Sequence, residues 1–280
     1  MRLRIATVLV GHERSVYLDA LAKIDALFAA RVPNAIRTTV VVDNSLPRSE
    51  FERLSPTSVI VGGDNSLREF SAWDRGLAYL DRTRENPDLV HFATSAFDSL
   101  YTGYLDRFSE EMLVASRSAR AVVGHVDYYA EPVEILGRTS QQWMRTSFFF
   151  APLEAVHALR SVVSFERSDA LFTDDPASPF RSGAPISKSL QRYILSWLTG
   201  EGTGQGVVWH SRFDLTEDTL SLFRTKTLAI LNEHLLSIRL RELGYPVADV
   251  LWLATQLTLK PAEKIEWQRP WKRQIEERPT

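Results

Sequence analysis

IATVLVGHER, Ile5–Arg14, is the stretch from which the fold can be read. Ile5 to Val10 is a near-continuous apolar run, the pattern of a strand buried on both faces, as in a parallel sheet. It ends in Gly11-His12-Glu13-Arg14, which are small or polar. Helical spacing follows: from Tyr17 to Phe28, residues Leu18, Leu21, Ile24, Leu27 and Phe28 share one face. Thr38 to Val42 is β-branched and stops at the turn cluster Asp43-Asn44-Ser45. A third short strand, Ser58 to Val61, is closed by Gly62-Gly63-Asp64-Asn65. Phe70 to Leu80 is helical, and Leu89 to Ala93 is a fourth strand. This succession predicts an α/β fold with a parallel sheet flanked by helices. Ligands of such sheets bind beyond the carboxyl ends of the strands. The polar clusters fall there, including Thr94-Ser95 through Asp98.

Composition narrows the function classes. The 280 residues carry a net charge of -2, so no global positive field draws the chain to nucleic acid, and none is expected as a partner. There is no cysteine, which excludes disulfide scaffolds and thiolate metal sites and fits a reducing compartment. The start, MRLRIATVLVG, lacks the length and cleavage site of a signal peptide. No apolar run approaches the roughly 20 residues of a membrane span. The expectation is a cytoplasmic protein, at most peripheral to the inner membrane.

Beyond the fourth strand, Ala121 to Val126 and Met144 to Ala151 read as strands. Ser164 to Ser187 reads as a long loop and a candidate lid. Leu190 to Leu198 reads as a helix, Gly200 to Gly206 as a flexible stretch and Val207 to His210 as a short strand. Thr216 to Leu243 is helical, with Leu228, Leu231, Leu235 and Leu236 on an apolar face, and stops at Gly244 and Pro246. A second helix is expected over Val247 to Thr258. The chain thus divides into a nucleotide-binding and catalytic domain, 1–215, and a C-terminal helical extension and tail, 216–280. In the tail, Trp267 and Trp271 lie among Lys and Arg residues, a mixture able to rest on an anionic membrane surface. Glu263, Glu266, Glu276 and Glu277 dilute that charge and favour a disordered or dimer-contacting end, hence a homo-oligomer.

Four segments carry a resemblance. VVVDNS (Val40–Ser45), GGDNSLREFSAWDRGL (Gly62–Leu77), LVHFATSAFD (Leu89–Asp98) and WMRTSFFFAP (Trp143–Pro152) stand in the order and spacing of the donor half of GT-A-fold glycosyltransferases. The chain most resembles the family 2-like and rhamnan-synthesis-type bacterial enzymes. The resemblance implies a GT-A (Rossmann-like), mainly parallel sheet with a C-terminal helical extension. It also implies transfer of a sugar from a nucleotide-diphosphate donor to a hydroxyl of a bacterial polysaccharide or lipid-linked glycan. Gly11, Asp43, Asn44, Ser45, Asn65, Arg68, Asp74, Arg75, Thr94 and Ser95 would then face the donor. Asp98, with His210, would hold Mn2+ or Mg2+. The proton acceptor of an inverting reaction would be Asp127 or the pair Asp174 and Asp175, with Glu166 and Asp169 as further loop acids.

Each residue also has a plainer reading. Asp43 is a turn or cap residue, and Asp64 and Asn65 cap a helix. Arg68 and Arg75 either pair with a diphosphate or are solvated. Trp73 belongs to the core. Asp98 caps a helix starting near Ser99. His12 and His125 line the pocket, and His234 is structural. The family's acid pair after the fourth strand is here a single, late Asp98. Two carboxylates balance a divalent ion better than one. Metal-independent catalysis therefore stays open, and so does a non-catalytic GT-A-like scaffold or partner-binding module.

Overall fold

The computed structural model describes residues 2–99, 102–200 and 212–279. Its elements in chain order are β1 (Arg4–Gly11), α1 (Arg14–Arg31), β2 (Ile36–Asp43), β3 (Phe51–Ser55), β4 (Ser58–Gly62), α2 (Arg68–Arg82), β5 (Leu89–Thr94), α3 (Glu110–Ser118), β6 (Val122–Ile135) and β7 (Arg138–Pro152). There follow α4 (Leu153–Leu159), α5 (Lys188–Thr199), α6 (Glu217–Glu242), β8 (Val247–Asp249), α7 (Val250–Leu259) and α8 (Trp271–Glu276).

The fold is α/β, with one eight-stranded mixed sheet flanked by helices in a Rossmann-like arrangement. The strand order is β3-β4-β2-β1-β5-β7-β6-β8. The pairs β1–β2, β1–β5, β2–β4 and β6–β8 are parallel, while β3–β4 and β5–β7 are antiparallel. Every residue of β1 from Ile5 to Gly11 is buried. Ile5 and Leu9 share a core cluster with Tyr17, Ile24 and Phe28 of α1. The opposite face meets α2. A Cβ on Gly76 would lie 2.3 Å from Val8 Cγ1. Successive strand side chains point to opposite faces, so the two helices cover the two sides of β1. Trp73 is fully buried in α2, edge-on to Phe70 and Phe92, as the core reading expects.

By contact density the chain forms two compact units. One comprises Met1–Asp127, Met144–Val162 and Arg239–Thr280, the other Tyr128–Trp143 and Val163–Ile238. The expected division at residue 215 differs from this. The β6–β7 hairpin closes through Leu136 and Gly137, both at positive φ as a tight hairpin turn requires, and its end belongs to the second unit. The chain after Gly244 is not a helical appendage, because it returns to the sheet as β8 beside β6. The expected helix over Val247 to Thr258 therefore begins with a strand. Asp249 separates the two: its Oδ1 accepts the N–H groups of Leu251 and Trp252 and caps α7.

Other expectations shift as well. Among the described residues no helix starts near Ser99, and Asp98 caps none. A short 3-10 turn, Leu105–Arg107, precedes α3, which is capped by Ser109, whose hydroxyl accepts the N–H of Met112. Within the second unit, segment 164–187 is packed, with Phe172 and Phe180 buried beside Phe223 of α6. That unit also holds a cluster of Tyr129, Trp143, Trp197 and His234. His234 is bonded through one ring nitrogen to the Ile230 carbonyl and through the other to the Tyr129 hydroxyl, a structural place. The expected strand over Val207 to His210 lies outside the described residues. Among the described residues, no helix is long and apolar enough to cross a membrane.

Asp249 ties the tail to the sheet. Its side chain is fully buried, and Oδ2 accepts the Val126 N–H at 2.9 Å and Arg278 Nη2 at 2.6 Å. Breaking a buried pair from one side strands a charge. Arg278→Ala is therefore expected to lower the unfolding free energy by about 3–5 kcal/mol in urea titration. A loss below about 1 kcal/mol, the worth of an exposed pair, would show the tail to be dispensable.

Candidate functional site

The site lies in the first unit, where strand order reverses. From β1 the chain steps to β2 and β4 on one side, and β5 pairs on the other. Such a switch point leaves a crevice beyond the carboxyl ends of the strands. Register brings those ends into one row: Gly62 opposite Asp43, Asp43 opposite Gly11, and Thr94 opposite Val10. Helix α1 opens directly from β1. No side chain caps it, and no acid sits in its first turn. Its N-cap residue, Glu13, accepts the Ser15 hydroxyl and no first-turn amide, so the N-terminal amides are left without a side-chain cap. Gly11 is what allows this turn, since a Cβ there would lie 2.6 Å from Tyr17 Cβ. Burial, reinforced by nearby Asp43, pushes the Tyr17 phenol up to about 12.

Several expected site residues are already engaged. Asp43 is 2% exposed, and its Oδ1 accepts the N–H and hydroxyl of Ser45 at 2.8 and 2.6 Å. It forms the turn that its plainer reading describes, and Ser45 is exposed beside it. Asp64 does the same for Ser66 and pairs with Arg48. Burial would raise the Asp64 carboxyl, but the Ser66 bonds and Arg48 outweigh it and hold it low. Arg75 is neither solvated nor free for phosphate. It donates to the Gly62 and Arg48 carbonyls and pins the loop after β2. Asp74 accepts from the Ser161 hydroxyl and from the Val162 N–H at 2.8 Å, so it ties α2 to the chain after α4.

Asn44, Asn65 and Arg68 are different. Asn44 Nδ2 donates to Asn65 Oδ1 at 3.4 Å and to the Arg68 carbonyl at 3.2 Å. Asn44 Oδ1 and Arg68 Nε are buried and have no hydrogen-bond partner among the described residues. Asn65 and Arg68 both have φ of 52°, in the left-handed region that costs a residue with a side chain. No side chain caps α2, which opens here. Thr94 and Ser95 complete the edge, half-buried at the end of β5.

The acids assigned to metal and proton transfer are engaged in other contacts. Asp98 is bound by Lys23 of α1 at 2.6 Å. Among the described residues, no group of three or more His, Asp or Glu is placed to hold a metal ion. His210 lies outside the described residues. Of the two expected ligands, the described residues thus place only Asp98, and its carboxylate is paired with Lys23. Asp127 is gripped by Arg145 through both oxygens and lies 3.5 Å from His125 Nε2. Burial alone would raise its carboxyl, but His125 and Arg145 draw it down to about 2. Asp174 and Asp175 sit in the second unit. The first pairs with Arg224 at 2.7 Å, and the second accepts the Ala177 N–H in a turn. Asp169 pairs with Arg167.

His125 stacks on Tyr104 at 5.0 Å, and its Nδ1 lies 3.8 Å from Asp249 Oδ2. A chain of polar side chains thus runs from Arg278 through Asp249, His125 and Asp127 to Arg145. Sequence reasoning missed its far half. Asp249 before an apolar helix was readable as a cap, but nothing marks Arg278 as its partner. His12 is exposed. No family model matches the sequence, and no curated protein matches it.

The low Asp127 value makes a pH prediction. Its folded value lies below the unfolded one near 3.9, so the stabilisation is complete above that value and fades as pH falls through about 2. Wild type should exceed Asp127→Asn by roughly 2 kcal/mol at neutral pH, with the gap closing below about pH 4. A gap that does not change between neutral and strongly acidic pH would contradict the charged pairing.

Proposed function

We propose that this protein is a GT-A-type glycosyltransferase. It takes a nucleotide-diphosphate sugar across the carboxyl ends of β4, β2, β1 and β5 and moves the sugar to a hydroxyl of a bacterial polysaccharide or lipid-linked glycan. The observation that carries this reading is the unsatisfied pair Asn44 Oδ1 and Arg68 Nε beside the row of strand ends. A phosphate oxygen supplies an acceptor to the Arg68 guanidinium, which is built for such contacts. A donor on the base or ribose satisfies Asn44. The open N-terminus of α1 favours the diphosphate charge, and Thr94 and Ser95 offer hydroxyls to the sugar.

In the transfer, an acceptor hydroxyl oxygen bonds to the anomeric carbon and gives up its proton to the departing diphosphate. The bond from that carbon to the diphosphate oxygen breaks, and the diphosphate leaves with the electron pair. Arg68 and the helix end stabilise the charge that develops there. A carboxylate held near 2 is a weak base at neutral pH, so Asp127 acts here as a fixed charge and not as the proton acceptor. The enzyme would work in the cytoplasm and meet a lipid-linked acceptor at the membrane surface. A second reading, a binding module without catalysis, draws support from the ion pairing of Asp98, Asp127 and Asp174.

Thermal unfolding with millimolar UDP, GDP, CDP, dTDP and their sugar conjugates tests both. Ligand at 100 times Kd adds about 2.7 kcal/mol, enough for a rise of several degrees. The shift should vanish in Arg68→Ala, shrink in Asn44→Ala and survive in Asp98→Asn. No shift with any nucleotide would sink the donor site. A shift without sugar transfer or donor hydrolysis would favour the binding module.

A further inference from the structure

The first unit carries a second concave feature, away from the strand ends. An open groove of about 830 Å³ runs between α3 and the segment around Ala262–Trp267. Its floor is apolar or small: Val114, Ala115, Ala119, Ala262 and the indole of Trp267. Its rim carries Glu110, Glu111 and Glu263, and no Lys or Arg is among the lining residues. Asn34 bonds Glu110 through its backbone N–H and its amide. Glu111 and Glu263 have neither an ion pair nor a hydrogen bond among the described residues. Most other exposed acids of this unit have a cation at hand, as Glu52 has Arg14 and Glu154 has Arg120. Val114 remains 45% exposed although it faces the groove.

We infer that this groove docks a basic amphipathic helix of a partner protein. The geometry suits a helix in three respects. Positions 111, 114, 115 and 118 form one stripe along α3, continued by its C-cap Ala119, and the nine helical residues span about 13 Å. Ala115, Ser118 and Ala119 on that stripe are small, which lets a second helix axis come close. Trp267 closes the far wall with an aromatic face that attracts Lys or Arg as well as apolar groups. The three carboxylates set the sign of the partner: apolar side chains enter the floor at helical spacing, and Lys or Arg reach the rim. The surface is separate from the nucleotide edge, so the inference stands or falls independently of the proposed reaction.

The full-length protein is titrated with a labelled helical peptide of about 15 residues, leucine on one face and lysine on the other, and with its leucine/glutamate counterpart. Anisotropy reports binding, and the emission change lost in Trp267→Phe assigns it to the groove. The lysine peptide should bind, and the glutamate peptide should bind at least about tenfold more weakly. Glu111→Lys combined with Glu263→Lys should cost about tenfold or more in affinity and lower the melting temperature only slightly, since Glu111 loses a favourable place in the first turn of α3 and neither side chain loses an ion pair. Val114→Ser should weaken binding too, and Arg68→Ala should not affect it. Lysine-peptide binding that survives the double reversal would overturn the inference, as would equal binding of a lysine peptide without leucine. No binding would overturn it as well. So would a concentration-dependent dimer that the double reversal dissociates, since the groove would then belong to a second copy of the chain.

Discussion

Burial of β1 on both faces constrains everything around it. A strand with no exposed side chain cannot present chemistry along its length, and its backbone groups must be paired on both edges. Strands β2 and β5 meet the second demand, and helices α1 and α2 the first. Both helices come so close that each contact excludes a Cβ, at Gly11 against Tyr17 and at Gly76 against Val8. With the faces sealed, polar groups are left to the ends of the strands. The position of the candidate site thus follows from the core before any particular residue is considered.

The acids that the sequence offered for metal and proton transfer, together with the buried Asp249, fall into two kinds. Asp249 is fully withdrawn from water, and Asp127 is gripped by Arg145 through both oxygens, so their pairs belong to the architecture. Asp98 and Lys23 are partly exposed, and such a pair contributes little stability. Its consequence is chemical, because Lys23 already balances the carboxylate that the sequence offered to a metal. Asp174, fully exposed beside Arg224, is likewise a weak contact. The distinction shifts the chemistry of the edge from carboxylates toward neutral amides, hydroxyls and Arg68.

The central fold was legible because apolar, β-branched runs mark doubly buried strands, as at Ile5 to Val10, Thr38 to Val42 and Leu89 to Ala93. Strand β3 was not, since its five residues lie on an edge and are at most half-buried, with no apolar run to detect. The outer part of the β6–β7 hairpin, rich in polar residues, carries no continuous apolar signal either. Strand β8 merges with α7 in one apolar stretch, and only the Asp249 cap separates them. For the site, sequence located the polar clusters at strand ends correctly. It could not say which residues were already committed. Arg75 reaches a carbonyl 27 residues away and Arg278 a carboxylate 29 residues away, and no local spacing encodes such partners.

Backbone conformation separates the residues that the fold needs from those it only tolerates. Among the described residues, six other than glycine have positive φ. Arg84, Arg120 and Arg160 follow α2, α3 and α4, where a left-handed residue ends a helix and satisfies its last carbonyls. Leu136 lies in the hairpin turn. Asn65 and Arg68 have neither explanation: they stand before and at the opening of α2. Such conformations cost about 1–3 kcal/mol each, and a buried polar atom without a partner costs a similar amount. Both penalties meet in the few residues joining β4 to α2, beside Asp43, Asp64 and Arg75, whose polar groups are engaged. A ligand that gives Arg68 an acceptor and Asn44 a donor would offset those costs in the bound state. The loop is thus strained where the strand order already leaves a crevice, which is the arrangement expected of a surface shaped for a ligand and not for packing alone.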